Sequence, residues 1–123
     1  MKQRITLEYP INSSPKVLYT RLSTPGGLSE WFADDVNVKG ETFLFFWEGD
    51  ERKAEAVIKK ENKLIRFRWL DEQDSYFEFK INVDELTKDV ALVVTDTIDD
   101  DDIDGARGLW DSQIAELKHV LGL

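Results

Sequence analysis

Apolar and charged residues alternate with a period of two through the long stretch from Val36 to Ile98, and this feature restricts the possible folds more than any other. Successive side chains of an extended strand point to opposite faces, so alternation sustained across several turns demands a sheet with one apolar and one polar face. Turn-forming residues interrupt it at Lys39-Gly40, Gly49-Asp50, Glu61-Asn62-Lys63, Asp71 to Asp74 and Thr87 to Asp89, which makes the stretch an antiparallel meander. Within it Ala54, Ala56 and Ile58 alternate with Lys53, Glu55 and Lys59. Ile65, Phe67 and Trp69 alternate with Arg66 and Arg68, and Phe77, Phe79, Ile81 and Val83 alternate with Glu78, Lys80 and Asn82. Arg66, Arg68, Glu78, Lys80 and Glu48 share a phase, so opposite charges are expected to stand across neighbouring strands on a solvated face. A sheet covered on one side only needs a partner for its apolar face.

The end of the chain supplies that partner. Asp104 to Leu121 reads as a helix with Leu109, Trp110, Ile114, Leu117 and Leu121 on one stripe and Arg107, Asp111, Glu116 and Lys118 opposite, Asp104 being a natural N-cap. Its stripe is predicted to lie on the apolar side of the sheet. Ahead of the meander, Gln3 to Tyr9 alternates as a first strand with Ile5 and Leu7 on one side. Ser14 as N-cap and Pro15 at the first helical position open a short helix carrying Val17, Leu18 and Leu22. Pro25-Gly26-Gly27 reads as its stop, and a second short helix is expected roughly from Gly27 to Phe32 with Leu28, Trp31 and Phe32. The fold class is therefore α+β: a curved antiparallel sheet of six or seven strands around a long C-terminal helix, with two short helices after the first strand. No repeat or linker divides residues 1–123, which are expected to form a single domain.

Two strands depart from simple alternation. In Thr42 to Glu48 both faces are apolar, and in Val90 to Ile98 both carry β-branched residues. Either loops or helices cover the second face, or Leu44 and Phe46 meet a second copy of the chain, because an exposed apolar patch usually has a partner.

Composition narrows the function classes. The formal charge of −9 opposes phosphate backbones and anionic bilayers, so nucleic acid is not expected as a partner. The absence of cysteine removes thiolate catalysis, disulfide frameworks and cysteine-based zinc sites. Neither a signal-peptide pattern nor a membrane-length apolar run is present, and a cytoplasmic location is expected. No phosphate-binding loop or dinucleotide fingerprint occurs, and no cofactor is expected. Asp100, Asp102, Asp104, Gly105 and Asp111 match the spacing of a calcium-binding EF-hand loop. The approach is a strand rather than a helix, however, and Arg107 takes a position that is normally apolar, so a solvated acidic turn is expected and no metal. His119 is the only histidine; no Ser or Thr sits in a nucleophile motif that would pair with it, and it reads as a surface residue near a helix end.

The element order and three stretches resemble the START-like superfamily with its helix-grip fold, and within it the branch related to the activator of the Hsp90 ATPase. The stretches are Ser14-Pro15-Lys16-Val17-Leu18-Tyr19, Leu28-Ser29-Glu30-Trp31-Phe32, and Gly108-Leu109-Trp110 followed by Ile114, Leu117 and Leu121. The resemblance spans essentially the whole chain, although Asp99 to Asp102 stands where the family commonly has a Gly/Pro-rich loop. It implies a container for apolar or amphipathic molecules, or, in the Hsp90-activator branch, a protein that works by contact with a chaperone.

If the helix grips the sheet, the residues expected to line a ligand site are Trp31, Phe45, Trp47, Ala56, Phe67, Trp69, Phe77, Phe79, Trp110 and Ile114, with Ala54 leaving room. The same residues could also pack as a solid core. The leading expectation is non-enzymatic binding of a small hydrophobic or amphipathic ligand between sheet and helix. The alternatives are a protein-interaction module of the Hsp90-activator type and a polyketide cyclase-like enzyme, the last ranked lowest because the inward phase of the strands shows no acid or base.

Overall fold

The computed structural model describes all of residues 1–123. In chain order the elements are β1 (Lys2–Pro10), α1 (Pro15–Ser23), α2 (Pro25–Leu28), β2 (Asp35–Lys39), β3 (Thr42–Trp47), β4 (Asp50–Lys60), β5 (Leu64–Trp69), β6 (Tyr76–Val83), β7 (Val90–Asp99) and α3 (Ile103–Val120). The strands form one curved seven-stranded sheet in the order β1-β7-β6-β5-β4-β3-β2, every neighbouring pair antiparallel. The meander therefore runs from β2 to β7, and β1 closes its far side against β7.

The alternation read in the sequence becomes two faces. Phe43, Phe45, Ala54, Phe67, Phe77, Phe79, Leu92 and Val94 are buried on the inner face. Trp110, Ile114 and Leu117 of α3 join them in a core that also takes Leu18, Leu22 and Leu28 from the two short helices. The last helix thus lies on the apolar side of the sheet, as its stripe requires. On the other face Arg66 stands directly across from Glu78 and holds it through Nε at 2.9 Å and Nη2 at 2.8 Å. Arg68 stands across from Glu55 in a looser ion pair at 3.7 Å. Leu44 is buried there between Asn37 and Lys53, and Phe46 is half-buried.

Several local expectations need correction. Pro25 opens α2 rather than stopping α1: α1 ends at Ser23, and Thr24 then caps the next helix, its hydroxyl accepting from the Gly27 amide. Proline suits the first helical turn, whose amides lack intrahelical acceptors, so a Thr-Pro pair is a start signal as readily as a stop. The helix read over Gly27 to Phe32 accordingly sits earlier, at Pro25–Leu28, and Trp31 and Phe32 lie in the turn that follows. In β4 the register shifts between Ala56 and Ile58, so Ile58 pairs with Arg66 on the outer phase instead of continuing the inner row of Ala54 and Ala56. One extra residue in a bulge inverts every side chain beyond it. Asp102, not Asp104, flanks the start of α3, and Asp104 falls in its first turn. Leu109 is 60% exposed and leaves the buried stripe.

Candidate functional site

The inner face does not close completely. At the end of the sheet where β5, β6 and β7 pass beneath the first half of α3, a cleft of about 680 Å³ remains. Its apolar walls are Phe32, Trp47, Trp69, Phe77, Leu109 and Trp110, and its polar groups include Arg52, Glu72, Asp96 and Gln113, with Lys2, Asp99 and Asp102 also lining it. Volume and lining fall in the range of small-molecule sites, which combine aromatic surface with a few placed polar atoms.

Phe32 is the hinge of this arrangement. Its ring lies 5.2–6.0 Å from the rings of Trp31, Phe45, Trp47, Phe77, Phe79 and Trp110. Its carbonyl accepts from the Trp47 indole at 2.9 Å and from the Gln113 amide at 3.1 Å. The turn after α2 thereby ties β3 to α3 and fixes the back of the cleft. Trp31, its neighbour, points away into the core with its indole donating to the Arg21 carbonyl.

Asp96 brings charge to this apolar wall. It follows Leu92 and Val94 in the inward phase of β7, in register with Ile5 of β1 and Phe77 of β6. The Trp110 indole donates to Oδ2 at 2.8 Å, and the Thr97 amide donates to Oδ1 at 2.8 Å. Burial pushes the carboxyl above its ordinary value, and these two donors pull against that shift without cancelling it. Arg52 sits on the opposite wall, its guanidinium 3.8 Å over the Trp69 ring and doubly bonded to Asp71 at 3.1 and 2.9 Å. Lys2 pairs with Glu72 at the rim, and these contacts hold the Asp71 and Glu72 carboxyls below the usual range.

Of the ten residues expected to line a site, Trp47, Trp69, Phe77 and Trp110 face the cleft. The other six, Trp31, Phe45, Ala56, Phe67, Phe79 and Ile114, stand in the packed core and do not line it. The space between sheet and helix is thus filled at one end and open at the other. Filling comes from the two short helices, whose Leu18, Leu22 and Leu28 occupy one end. Asp96 and Phe32 are not among the residues expected to line a site, although both do. Asp96 corrects the view that no acid points inward; counting by twos from Leu92 to Ile98 would have placed it there, but apolar residues on both faces of that strand hid the phase. Of the aspartates at EF-hand spacing, Asp100, before α3, takes the N-terminal ammonium at 3.5 Å, and Asp111, within α3, accepts from the Tyr9 hydroxyl at 2.7 Å, so the spacing does not converge on one point. His119 is exposed on α3.

The family description of a START-like superfamily domain matches residues 1–123, the full length of the sequence. The chain belongs to the START-like superfamily. A Bacteroides fragilis protein of known solution structure is 39% identical, with 99% of this chain and 93% of that one covered and a TM-score of 0.70. The START-like fold is shared with the Aha1 dimer from Colwellia psychrerythraea, which is 19% identical over 94% of this chain and 93% of that one, at a TM-score of 0.79. A Mesorhizobium loti protein is 21% identical over 98% and 97% of the two chains, at a TM-score of 0.82. No curated protein matches the chain. None of its helices is long and apolar enough to cross a membrane.

Proposed function

We propose that this START-like domain holds a small hydrophobic or amphipathic ligand in the cleft between the sheet and α3, without transforming it. One observation carries the reading: a space of about 680 Å³ persists among Phe32, Trp47, Trp69, Phe77 and Trp110, beside a continuous buried core. Aromatic walls contribute large apolar contact area, and the polar groups beside them orient a ligand. Native mass spectrometry of freshly purified protein is expected to find a retained small molecule. The Leu109→Glu variant, altered at an exposed rim position, should lose that molecule while melting close to the parent. Parent and variant both free of bound molecules, with no uptake from a panel of apolar amphipaths, would count decisively against the reading.

A second reading, acid–base catalysis on a bound molecule of the polyketide cyclase kind, is favoured by Asp96, a carboxyl held above its ordinary value inside the cleft. It requires that Asp96→Asn abolish turnover while leaving ligand retention intact. A docking role of the Hsp90-activator kind has less support on the outer face, where Leu44 is buried and Arg66 and Glu78 engage one another.

A further inference from the structure

We infer that the cleft selects ligands bearing a positive charge, an ammonium or substituted amine on an apolar or aromatic body, and that Asp96 recognises that charge. The inference rests on the ligand-binding reading above and names the ligand class.

The reasoning begins with how the cleft treats its own cations. Arg52 lies with an indole face on one side, Trp69 at 3.8 Å, and carboxylates on the other, Asp71 at 2.9 Å and Glu72 at 3.6 Å. A cation between an aromatic face and a carboxylate gains from both the ring quadrupole and the countercharge. Lys2, the other basic side chain of the lining, is likewise engaged, by Glu72. Asp96 has similar surroundings, with Trp110 donating to it, Phe77 beside it in register, and Trp47 and Trp69 elsewhere in the lining. It differs in one respect: no lysine, arginine or histidine of the chain forms an ion pair with it, and Arg52, committed to Asp71, acts on it only from beyond ion-pair distance.

A carboxylate has about four lone-pair sites, and Asp96 uses two of them on the Trp110 indole and the Thr97 amide. A ligand that covered Asp96 with hydrocarbon alone would strip its remaining water without replacement, which is costly for a charged group. An anion would also meet Glu72, Asp99 and Asp102, none of which is offset by an unengaged base in the lining. An ammonium supplies the direct ion pair that Asp96 lacks, and its apolar body meets the aromatic walls. The acidic rim and the formal charge of −9 further favour the approach of cations.

The test uses three probes of matched size, naphthylethylammonium, naphthylethanol and naphthylacetate, titrated into the full chain and followed by the indole Nε1–H signals of its tryptophans in two-dimensional NMR. The ammonium is expected to bind at least about tenfold more tightly than the alcohol, equivalent to about 1.4 kcal/mol, with the carboxylate weakest. Its binding should move the Trp110 signal most. Asp96→Asn should bring ammonium and alcohol to within about twofold of each other, because the charge is gone while the shape is kept. Asparagine has one acceptor oxygen for the two donors that Asp96 serves, so the Asp96→Asn/Trp110→Phe double variant, which removes the indole donor, provides the same comparison if the single variant does not fold. Equal binding of the three probes, or a preference for the ammonium that survives loss of the Asp96 charge, overturns the inference while the ligand-binding reading stands. Failure of all three probes to bind overturns both.

Discussion

Replacing Phe32 by alanine removes one ring from the centre of six others and leaves the backbone that joins them in place. The ring is 5% exposed and lies 5.2 Å from Phe77, 5.3 Å from Phe45 and Trp47, and 5.8 Å from Trp110. Truncating a buried phenylalanine costs about 3–5 kcal/mol, from lost transfer free energy and the cavity left behind. Because this cavity would merge with the cleft and admit water, the expected loss lies in the lower part of that range, about 3–4 kcal/mol. For a domain of this size that corresponds to a fall in Tm of roughly 10–18 °C. The Phe32 carbonyl still accepts from Trp47 and Gln113, so the fold is expected to persist, and Phe32→Leu, which keeps most of the volume, should cost less than about 2 kcal/mol. Urea denaturation at fixed pH, with equal m-values for parent and variants, measures both. A loss under about 1 kcal/mol for Phe32→Ala would refute the reasoning. It would mean that the surrounding rings close over the gap and that the back of the cleft does not depend on this side chain.

Gly27→Ala should destabilise strongly although glycine sits there in an ordinary helical conformation: an added Cβ would lie 2.5 Å from the Thr20 carbonyl oxygen and 2.7 Å from the Arg21 Cα, and thermal melts would register the separation of α1 from α2. Asp96 makes stability depend on pH in a definite sense. Its folded-state pKa is raised, so the contribution it makes is fully present below the ordinary carboxylate value and is lost as pH rises through the folded value; the unfolding free energy of the parent relative to Asp96→Asn should therefore fall as pH rises from the ordinary carboxylate range upward, and a flat or rising difference would exclude it. Asp71 and Glu72, with lowered values, act oppositely and are screened at the surface, which is why the comparison is made against a variant at position 96. A double-mutant cycle on Arg66 and Glu78 should give a coupling of about 0.5–1 kcal/mol, diminished by salt, because Glu78 is largely covered and Arg66 also lies 4.2 Å from the Tyr76 ring; zero coupling would mark the pair as solvated.

Sequence alone determined the sheet, its turns and the helix that covers it. Each of these rests on a period or a turn residue that acts over a few positions: Phe67 and Trp69 must share a face wherever the strand goes, and Trp110, Ile114 and Leu117 must share a stripe. Tertiary structure alone decided which aromatic residues close the core and which border a cleft. Phe67 and Trp69 have the same inward phase, yet Phe67 is sealed by its neighbours while Trp69 meets the open end. The difference lies in how far α1 and α2 reach across the sheet, which no periodicity encodes. The bulge after Ala56 belongs with it, since it shows only in the pairing of β4 with β5, whereas the inward turn of Asp96 follows from the phase that Leu92 and Val94 set. Local pattern fixes the direction of a side chain, but only the packing of remote segments determines whether anything stands in front of it.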